Sequence, residues 1–286
     1  MELLVVSILC SVSVGVLFKF AKLNFSQLLW VLFFGYIVCF LAGYFLLVDT
    51  SVIEFLNSFS NLKWQEYSFI FILSLILPYV FISLQKSIVT QGVAKTDLVQ
   101  RMSLLIPILA SFRIFKEQFS WNKLVAILFG FVSIFLILNK QGSDVKNNDF
   151  KPLIIVFLGY GIVDVLFKFL TTLPFKTLLT FIFLGCLIST LFYIILKKLT
   201  FSWKSLPIGF ALGILNFTNI FTYLSAHKAM KDAPTIVFTS MNLGVICLGA
   251  LVGVLIFKEK LSKLNFIGII SAIFAIIILN FKLLFS

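Results

Sequence analysis

The chain has 286 residues, of which 61% are hydrophobic and only 12% are charged. Soluble domains carry about 25% charged residues, so this composition excludes an ordinary soluble fold and requires a lipid environment. The net charge of +12 comes from lysines that lie mainly at the ends of apolar segments, where they meet lipid headgroups, and this distribution excludes a nucleic-acid-binding surface.

Ten apolar runs along the chain have about the 17–25 residues that cross a bilayer. They lie near 3–21, 28–48, 67–86, 95–114, 122–139, 152–170, 176–196, 205–226, 234–256 and 264–282. The first run follows Glu2 with no basic segment before it, which favours a retained helix over a signal peptide. Spaced apolar residues in the link 49–66 predict an interfacial amphipathic turn or helix. A polar linker separates the two halves of the chain: the linker is 141–151, and the halves are 1–140 and 152–286.

Two short sequences recur at matching places in the two halves. VGVLFKF at 14–20 returns as VDVLFKF at 163–169, and FKEQFS at 115–120 returns as FKEKLS at 257–262. Two homologous membrane halves in one chain are typical of small-molecule transporters, whose binding site lies between the repeats. Because each half has an odd number of spans, the second half enters the membrane from the opposite side. We therefore expect an all-α integral membrane protein of ten transmembrane helices, built as two inverted five-helix repeats around a central cavity.

Four local features of the chain form one pattern. The first-span feature is Gly15 followed by Lys19, and the fourth-span feature is Ala94 followed by Pro107. A Glu-containing turn precedes spans five and ten, at 115–117 and 257–259. The two repeats end in Leu-Asn, at 138–139 and 279–280. In these features, which extend over nearly the whole chain, it resembles the drug/metabolite transporter (DMT) superfamily and its ten-span EamA-type members. It departs from their pattern at Ile246, where a second Pro is expected. The resemblance implies a basket of two inverted repeats that works by alternating access on small polar metabolites.

Arg101 is the sharpest candidate for a substrate-binding residue, because it lies well inside the fourth span. An ionised group at such depth is costly and marks a functional site by default. Asp97 lies one helical turn earlier, so a pair between positions i and i+4 is available. This pair has either a packing role or a substrate-cavity role, and it is also a hypothetical point of proton coupling.

Asp164 and Lys168 repeat the same acid–base spacing in the sixth span. Lys168 lies near the end of that span, where its stem can follow lipid while its ammonium reaches water, so snorkelling is the main alternative to a binding role. Lys19 is its counterpart in the first half, but Gly15 replaces the acid there. Lys19 is therefore the more available ligand for an anion.

Uncharged polar residues add further candidates. Asn216, Asn219 and Tyr223 share one helical face of the eighth span. Such groups serve equally well to line a polar cavity and to join helices by hydrogen bonds. Tyr79 in the third span is a weaker cavity candidate, and Glu117 is expected to fix a helix end.

The reactive side chains predict neither a metal nor a cofactor. His227 has no Cys or His neighbour in sequence, and the four cysteines form no CxxC pair. The chain has no HExxH or GxSxG motif, so we do not expect an enzyme. A membrane enzyme and a non-transporting membrane subunit are the alternatives from other functional classes.

The embedded bases favour a secondary transporter for a small anionic or zwitterionic metabolite, such as an amino acid. The alternative substrate class is cationic drugs, whose export needs an unpaired membrane carboxylate, whereas Asp97 and Asp164 each have a base at i+4. We expect a small-molecule substrate and membrane lipids as partners, and one chain suffices because it supplies both halves. The expected location is the bacterial inner membrane, crossed many times; the orientation of the termini stays open, because the distribution of basic residues opposes the cytoplasmic termini that the resemblance implies.

Overall fold

The computed structural model describes residues 2–21, 23–48, 50–91, 93–118, 120–138, 150–256 and 263–284. The regular elements in these residues are all helices. They are α1 (Glu2–Ala21), α2 (Phe25–Leu47), α3 (Val52–Ser60), α4 (Trp64–Gln91), α5 (Val93–Met102), α6 (Leu105–Arg113), α7 (Trp121–Leu138), α8 (Lys151–Leu170), α9 (Phe175–Leu196), α10 (Ser205–Ala229), α11 (Pro234–Leu255) and α12 (Lys263–Leu284).

Six of these helices, α2, α4, α8, α9, α10 and α11, contain a stretch that is long and apolar enough to cross a membrane. Shorter apolar stretches lie in α1, α7 and α12. Within the described residues the chain is therefore an all-α protein with the helices of an integral membrane protein, as its composition predicts.

The fourth predicted span is interrupted. The sequence predicts one helix over 95–114, whereas the structure has α5 and α6 with a turn at 103–104 between them. Pro107 lacks an N–H, so the carbonyl of Ser103 loses its partner four residues on, and the proline ring crowds that carbonyl. Pro107 is the third residue of α6, where a missing N–H is tolerated. The break leaves Arg101 in the last turn of α5.

The helix α3 confirms the amphipathic element predicted in the link 49–66. Its start is a capping box in which the Ser51 hydroxyl accepts the Glu54 N–H at 3.3 Å and the Glu54 carboxylate accepts the Ser51 N–H at 3.0 Å. Phe55 is buried and stacks on Phe181 of α9, with ring centroids 4.3 Å apart. The other apolar side chains of α3 are exposed, as an interfacial helix requires: Ile53, Leu56 and Phe59.

Glycines allow a close contact between α2 and α10. A Cβ on Gly209 of α10 would lie 2.5 Å from the Cβ of Phe34 in α2, and one on Gly213 would lie 2.6 Å from the Gly35 carbonyl oxygen. Only glycine permits this approach, so these glycines, four residues apart on one face of α10, serve helix packing.

The remaining packing of the bundle joins helices from both halves of the chain. α1 packs on α10 and α11, α2 on α9 and α10, and α4 on α8 and α9. α5 and α6 both pack on α8, α6 also packs on α11, and α12 packs on α7 and α11. The largest apolar core extends through most helices of the bundle, and its fully buried residues include Leu178 and Phe183 of α9 and Leu212 of α10.

Candidate functional site

Asp164 of α8 and Tyr223 of α10 meet inside the bundle. The Tyr223 hydroxyl donates a hydrogen bond to Asp164 Oδ1 at 3.0 Å. Tyr223 is only 5% exposed, and Asp164 is half-buried. The structure therefore joins two predicted site residues from different helices into one polar group.

Arg101 belongs to the first half of the chain and lies on α5, next to the helix of Asp164. It is half-buried in the last turn of α5, and α5 packs on α8. The predicted local partner, Asp97, has a side chain that lies outside the described part of the structure, and so does that of Lys19. Their roles stay predictions.

His227 lies one turn beyond Tyr223 on α10 and is fully buried. Its ring packs edge-on against Tyr223, with centroids 4.8 Å apart, and against Phe238 of α11 at 4.5 Å. Neither ring nitrogen makes a hydrogen bond to any described residue. Sequence reasoning missed this residue, although its position, four residues after Tyr223, places it on the face already identified.

Lys168 is 4% exposed, so the expectation that its ammonium snorkels to water is wrong. Its Nζ donates to the carbonyl oxygens of His227 at 3.3 Å and of Lys231 at 2.9 Å, both near the turn between α10 and α11. Backbone carbonyls satisfy a buried ammonium without needing a substrate. Lys168 therefore connects α8 to the last turn of α10 and to the turn that follows it.

Glu117 lies at the same end. Its Oε2 atom accepts both the backbone N–H and the hydroxyl of Thr235, at the start of α11. Lys168 Nζ lies 6.0 Å from the ring centroid of Phe115, two residues before Glu117. The prediction that Glu117 fixes a helix end is confirmed. Together Lys168, Glu117 and Thr235, which we call the end clasp, connect α8, the turn before α7 and α11.

The two asparagines of α10 have different surroundings. Asn219 Nδ2 donates to the Ser7 carbonyl oxygen at 2.8 Å, and the Ser7 hydroxyl donates to the Asn219 carbonyl oxygen at 3.1 Å. Asn219 thus joins α10 to α1 by hydrogen bonds, which is the helix-joining role and not the cavity-lining role. Asn216 is half-buried, and its side chain makes no hydrogen bond with the described residues, so it stays a candidate for contact with a substrate.

Tyr79 lies in a different place. It is 50% exposed and lines an open, mainly apolar groove of about 1320 Å³ between α4 and α9. The structure therefore does not bring it to Asp164 and Tyr223. Within the described residues, no three His, Cys, Asp or Glu side chains are grouped closely enough to hold a metal ion.

Comparison with known proteins adds one relative and one structural neighbour. No family model matches the chain. An uncharacterized protein of Haemophilus influenzae (strain ATCC 51907 / DSM 11121 / KW20 / Rd) is 39% identical over 290 residues, which cover 98% of this chain and 98% of that protein. A crystal structure of a protein superposes with a TM-score of 0.74 at 14% sequence identity, covering 98% of this chain and 97% of the other. At that identity the likeness concerns the fold alone.

Proposed function

We propose that this chain, which belongs to the same family as the uncharacterized Haemophilus influenzae protein, is a secondary transporter for a small anionic or zwitterionic metabolite. The observation that carries the proposal is the hydrogen-bonded pair of Asp164 and Tyr223 inside the bundle, with Arg101 half-buried on α5, which packs on the helix of Asp164. Charged groups buried in a membrane bundle mark substrate or ion pathways.

The packing of the helices supports an inverted repeat of 1–140 and 152–286, joined by the linker 141–151, most of which lies outside the described residues. The first five spans are α1, α2, α4, α5 with α6, and α7, and the second five are α8 to α12. If each span of the first set corresponds to the one five places later, the contact of α1 with α10 corresponds to that of α8 with α4. The contact of α2 with α10 likewise corresponds to that of α9 with α4. Likewise, α11 on α12 matches α5 on α7. The pairs α2 with α9, α7 with α12 and α6 with α11 match themselves. Two units related by a two-fold axis produce such a pattern.

The break between α5 and α6 supports a binding site beside Arg101. Discontinuous helices in transporters free backbone groups near the membrane midplane, and substrate sites form at the interface between repeats. The guanidinium would hold a carboxylate or phosphate, and the amide of Asn216 would bind polar substituents. For a zwitterion, the ammonium would meet Asp164. The site and the repeat together fit a transporter of the DMT type that works by alternating access. We propose that it lies in a bacterial inner membrane and that one chain can act alone.

The test is a thermal-shift panel with L-lactate, inorganic phosphate, L-alanine and choline, followed by flux measurements in proteoliposomes. A ligand that binds only the folded state raises its apparent stability. We expect lactate, phosphate or alanine to stabilise the wild type and to lose this effect in Arg101→Ala. The matched control is Arg113→Ala, an exposed arginine at the end of α6, which should keep the effect.

Other results would select the alternatives. Stabilisation by choline alone, unchanged in Arg101→Ala, would favour an exporter of cationic drugs, which the buried carboxylate of Asp164 would serve. Binding without flux would favour a non-transporting membrane subunit, and chemical conversion of a bound compound would favour a membrane enzyme.

A further inference from the structure

The groove between α4 and α9 opens on the surface of the bundle and is separate from the site at Asp164. It has a volume of about 1320 Å³, and exposed apolar side chains of both helices line it, among them Phe71 and Leu75 of α4 and Ile188 and Phe192 of α9. Both helices have the length and composition of membrane spans. In a bilayer the groove therefore faces lipid and not water.

The groove runs through almost the full depth of a bilayer. On α4 its lining extends from Trp64 to Ile82, which are 18 residues apart. At about 1.5 Å per residue this distance is roughly 27 Å, close to the hydrocarbon thickness of about 30 Å. A molecule that fills the groove has to be long and apolar, and the acyl chain of a lipid has both properties.

Contacts between the two helices fix the floor of the groove. Pro78 lacks an N–H, so the Ser74 carbonyl has no partner in α4 and instead accepts the Ser189 hydroxyl at 2.8 Å. A Cβ on Gly185 of α9 would collide with the Ser74 side chain, so only glycine fits at this crossing. The groove is thus a preformed feature of the fold, because its two walls are bonded together along the floor.

Thr190 of α9 places a donor without a partner in the wall of this groove. It is only 1% exposed, and its hydroxyl makes no hydrogen bond to any described residue. A helical threonine ordinarily donates to the carbonyl four residues earlier, but the Cys186 carbonyl already accepts the Ser189 hydroxyl at 3.0 Å. A buried donor without an acceptor is costly. In a membrane, the ester carbonyl of a phospholipid acyl chain supplies such an acceptor.

Two lysines follow the end of the groove that lies nearer to Thr190. Leu196 is the last residue of α9 and also lines the groove, and the exposed Lys197 and Lys198 come directly after it. Lysines at the end of a span attract anionic headgroups. We propose that the groove binds an anionic phospholipid. One acyl chain lies along α4 and α9, its ester carbonyl accepts the Thr190 hydroxyl, and its phosphate lies near the two lysines.

A second copy of the chain fits the groove less well than a lipid does. Dimers of one chain are mostly two-fold symmetric, and such a contact sets the same surface of each copy against itself. Two concave grooves would then face each other, and the space between them would stay unfilled. The lipid inference goes beyond the proposed function and does not depend on it.

The test is native mass spectrometry of the full-length protein, mixed with phosphatidylglycerol in a mild detergent. We expect one phospholipid to stay bound to each wild-type chain. In Ile188→Trp the larger side chain fills the groove, and the bound lipid should be lost. Ile214→Trp is the matched control, because Ile214 of α10 is 59% exposed, against 58% for Ile188, and does not line the groove.

Three results of this experiment would overturn the inference. They are the absence of bound lipid in the wild type, equal retention in the two tryptophan variants, and a wild-type dimer that Ile188→Trp converts to single chains. The last result would assign the groove to a second copy. Stabilisation by lactate should be the same in Ile188→Trp as in the wild type, so the transporter proposal is tested separately.

Thr190→Val tests the ester contact by thermal unfolding. Without added lipid the variant should unfold at the wild-type temperature or above it, because an unpartnered donor is removed. Phosphatidylglycerol should raise the unfolding temperature of the wild type more than that of the variant. Thr180→Val is the matched control, since the Thr180 hydroxyl on α9 donates to the Lys176 carbonyl at 3.0 Å. It should unfold at a lower temperature but keep the full lipid effect.

Two outcomes of the unfolding experiment would contradict the proposal. An equal lipid effect in the wild type and in Thr190→Val would exclude the ester contact. Phosphatidylcholine, which has the same esters but no net charge, should stabilise the wild type less than phosphatidylglycerol does. An equal effect of the two lipids would exclude the anionic headgroup.

Discussion

Glu117 and Thr235 are 118 residues apart in sequence, yet Glu117 Oε2 accepts the backbone N–H of Thr235 at 2.9 Å and its hydroxyl at 2.6 Å. Thr235 is the second residue of α11, so the carboxylate lies at a helix start whose N–H groups lack partners within the helix. Because Glu117 is only 7% exposed, the contact is a buried link between the two halves of the chain.

Removing this carboxylate should destabilise the fold. In Glu117→Ala the buried N–H and hydroxyl of Thr235 lose their acceptor, which costs about 1–3 kcal/mol. Thermal unfolding in detergent measures the loss. Once Glu117 is absent, Thr235→Val should add little, because the two residues act as one unit. Simple additivity of the two substitutions would contradict the link.

Lys168→Met should also destabilise the protein, because it removes a buried charged donor from two carbonyls. Hydrogen bonds to charged groups contribute about 1.5–3 kcal/mol, and this sets the expected loss. Lys197→Met is the matched control, since Lys197 is exposed just after α9. Its unfolding temperature should stay close to that of the wild type. An equal effect of the two substitutions would show that Lys168 is not held by the end clasp.

Gly213→Ala should weaken the contact between α2 and α10. The new methyl group would lie 2.5 Å from the Cβ of Val38 and 2.6 Å from the Gly35 carbonyl oxygen, so the helices must separate. Overpacking of this kind costs about 1–3 kcal/mol. Gly249→Ala in α11 is the control, because no described atom outside its chain neighbours and its own helix backbone lies within 4 Å of the added Cβ. That substitution should be neutral or stabilising by up to about 1 kcal/mol through helix propensity. Thermal unfolding compares the two.

The start of α3 should lose protection in acid. The backbone N–H and the hydroxyl of Ser51 both donate to the Glu54 carboxylate, and these bonds lower the pKa of Glu54 below its ordinary value of 4.5. The ionised carboxylate therefore stabilises the helix start above that ordinary value, and the contribution is lost as the pH falls through the lowered pKa. Hydrogen-exchange protection factors of α3 measure this. In Glu54→Gln the protection should no longer depend on this titration, and an unchanged acid dependence would assign it to another group.

Several features of the fold could be predicted from the sequence because they are local or periodic. The apolar runs predict the membrane helices, and the spacing of Gly209 and Gly213 predicts close packing. The link 49–66 predicts an amphipathic helix, found as α3. The break after Arg101 could have been predicted from Pro107, whose missing N–H acts within its own helix.

The partners of the site residues could not be predicted in this way. The spacing of Asp164 and Lys168 suggests partners one turn apart, but the structure pairs Asp164 with Tyr223, 59 residues away. Lys168 shows the same limit, since its ammonium was expected to reach water and its side chain is buried.

Sequence by itself determined what the chain must be in contact with: its composition requires lipid, its run lengths require helices that span a bilayer, and its repeats indicate two halves. Only the tertiary structure decided which side chain bonds to Asp164, that Lys168 is buried and that the single histidine lies beside Tyr223. The physical reason is that helix periodicity assigns a residue to a face of its own helix, whereas the neighbour of that face depends on how helices distant in sequence pack together.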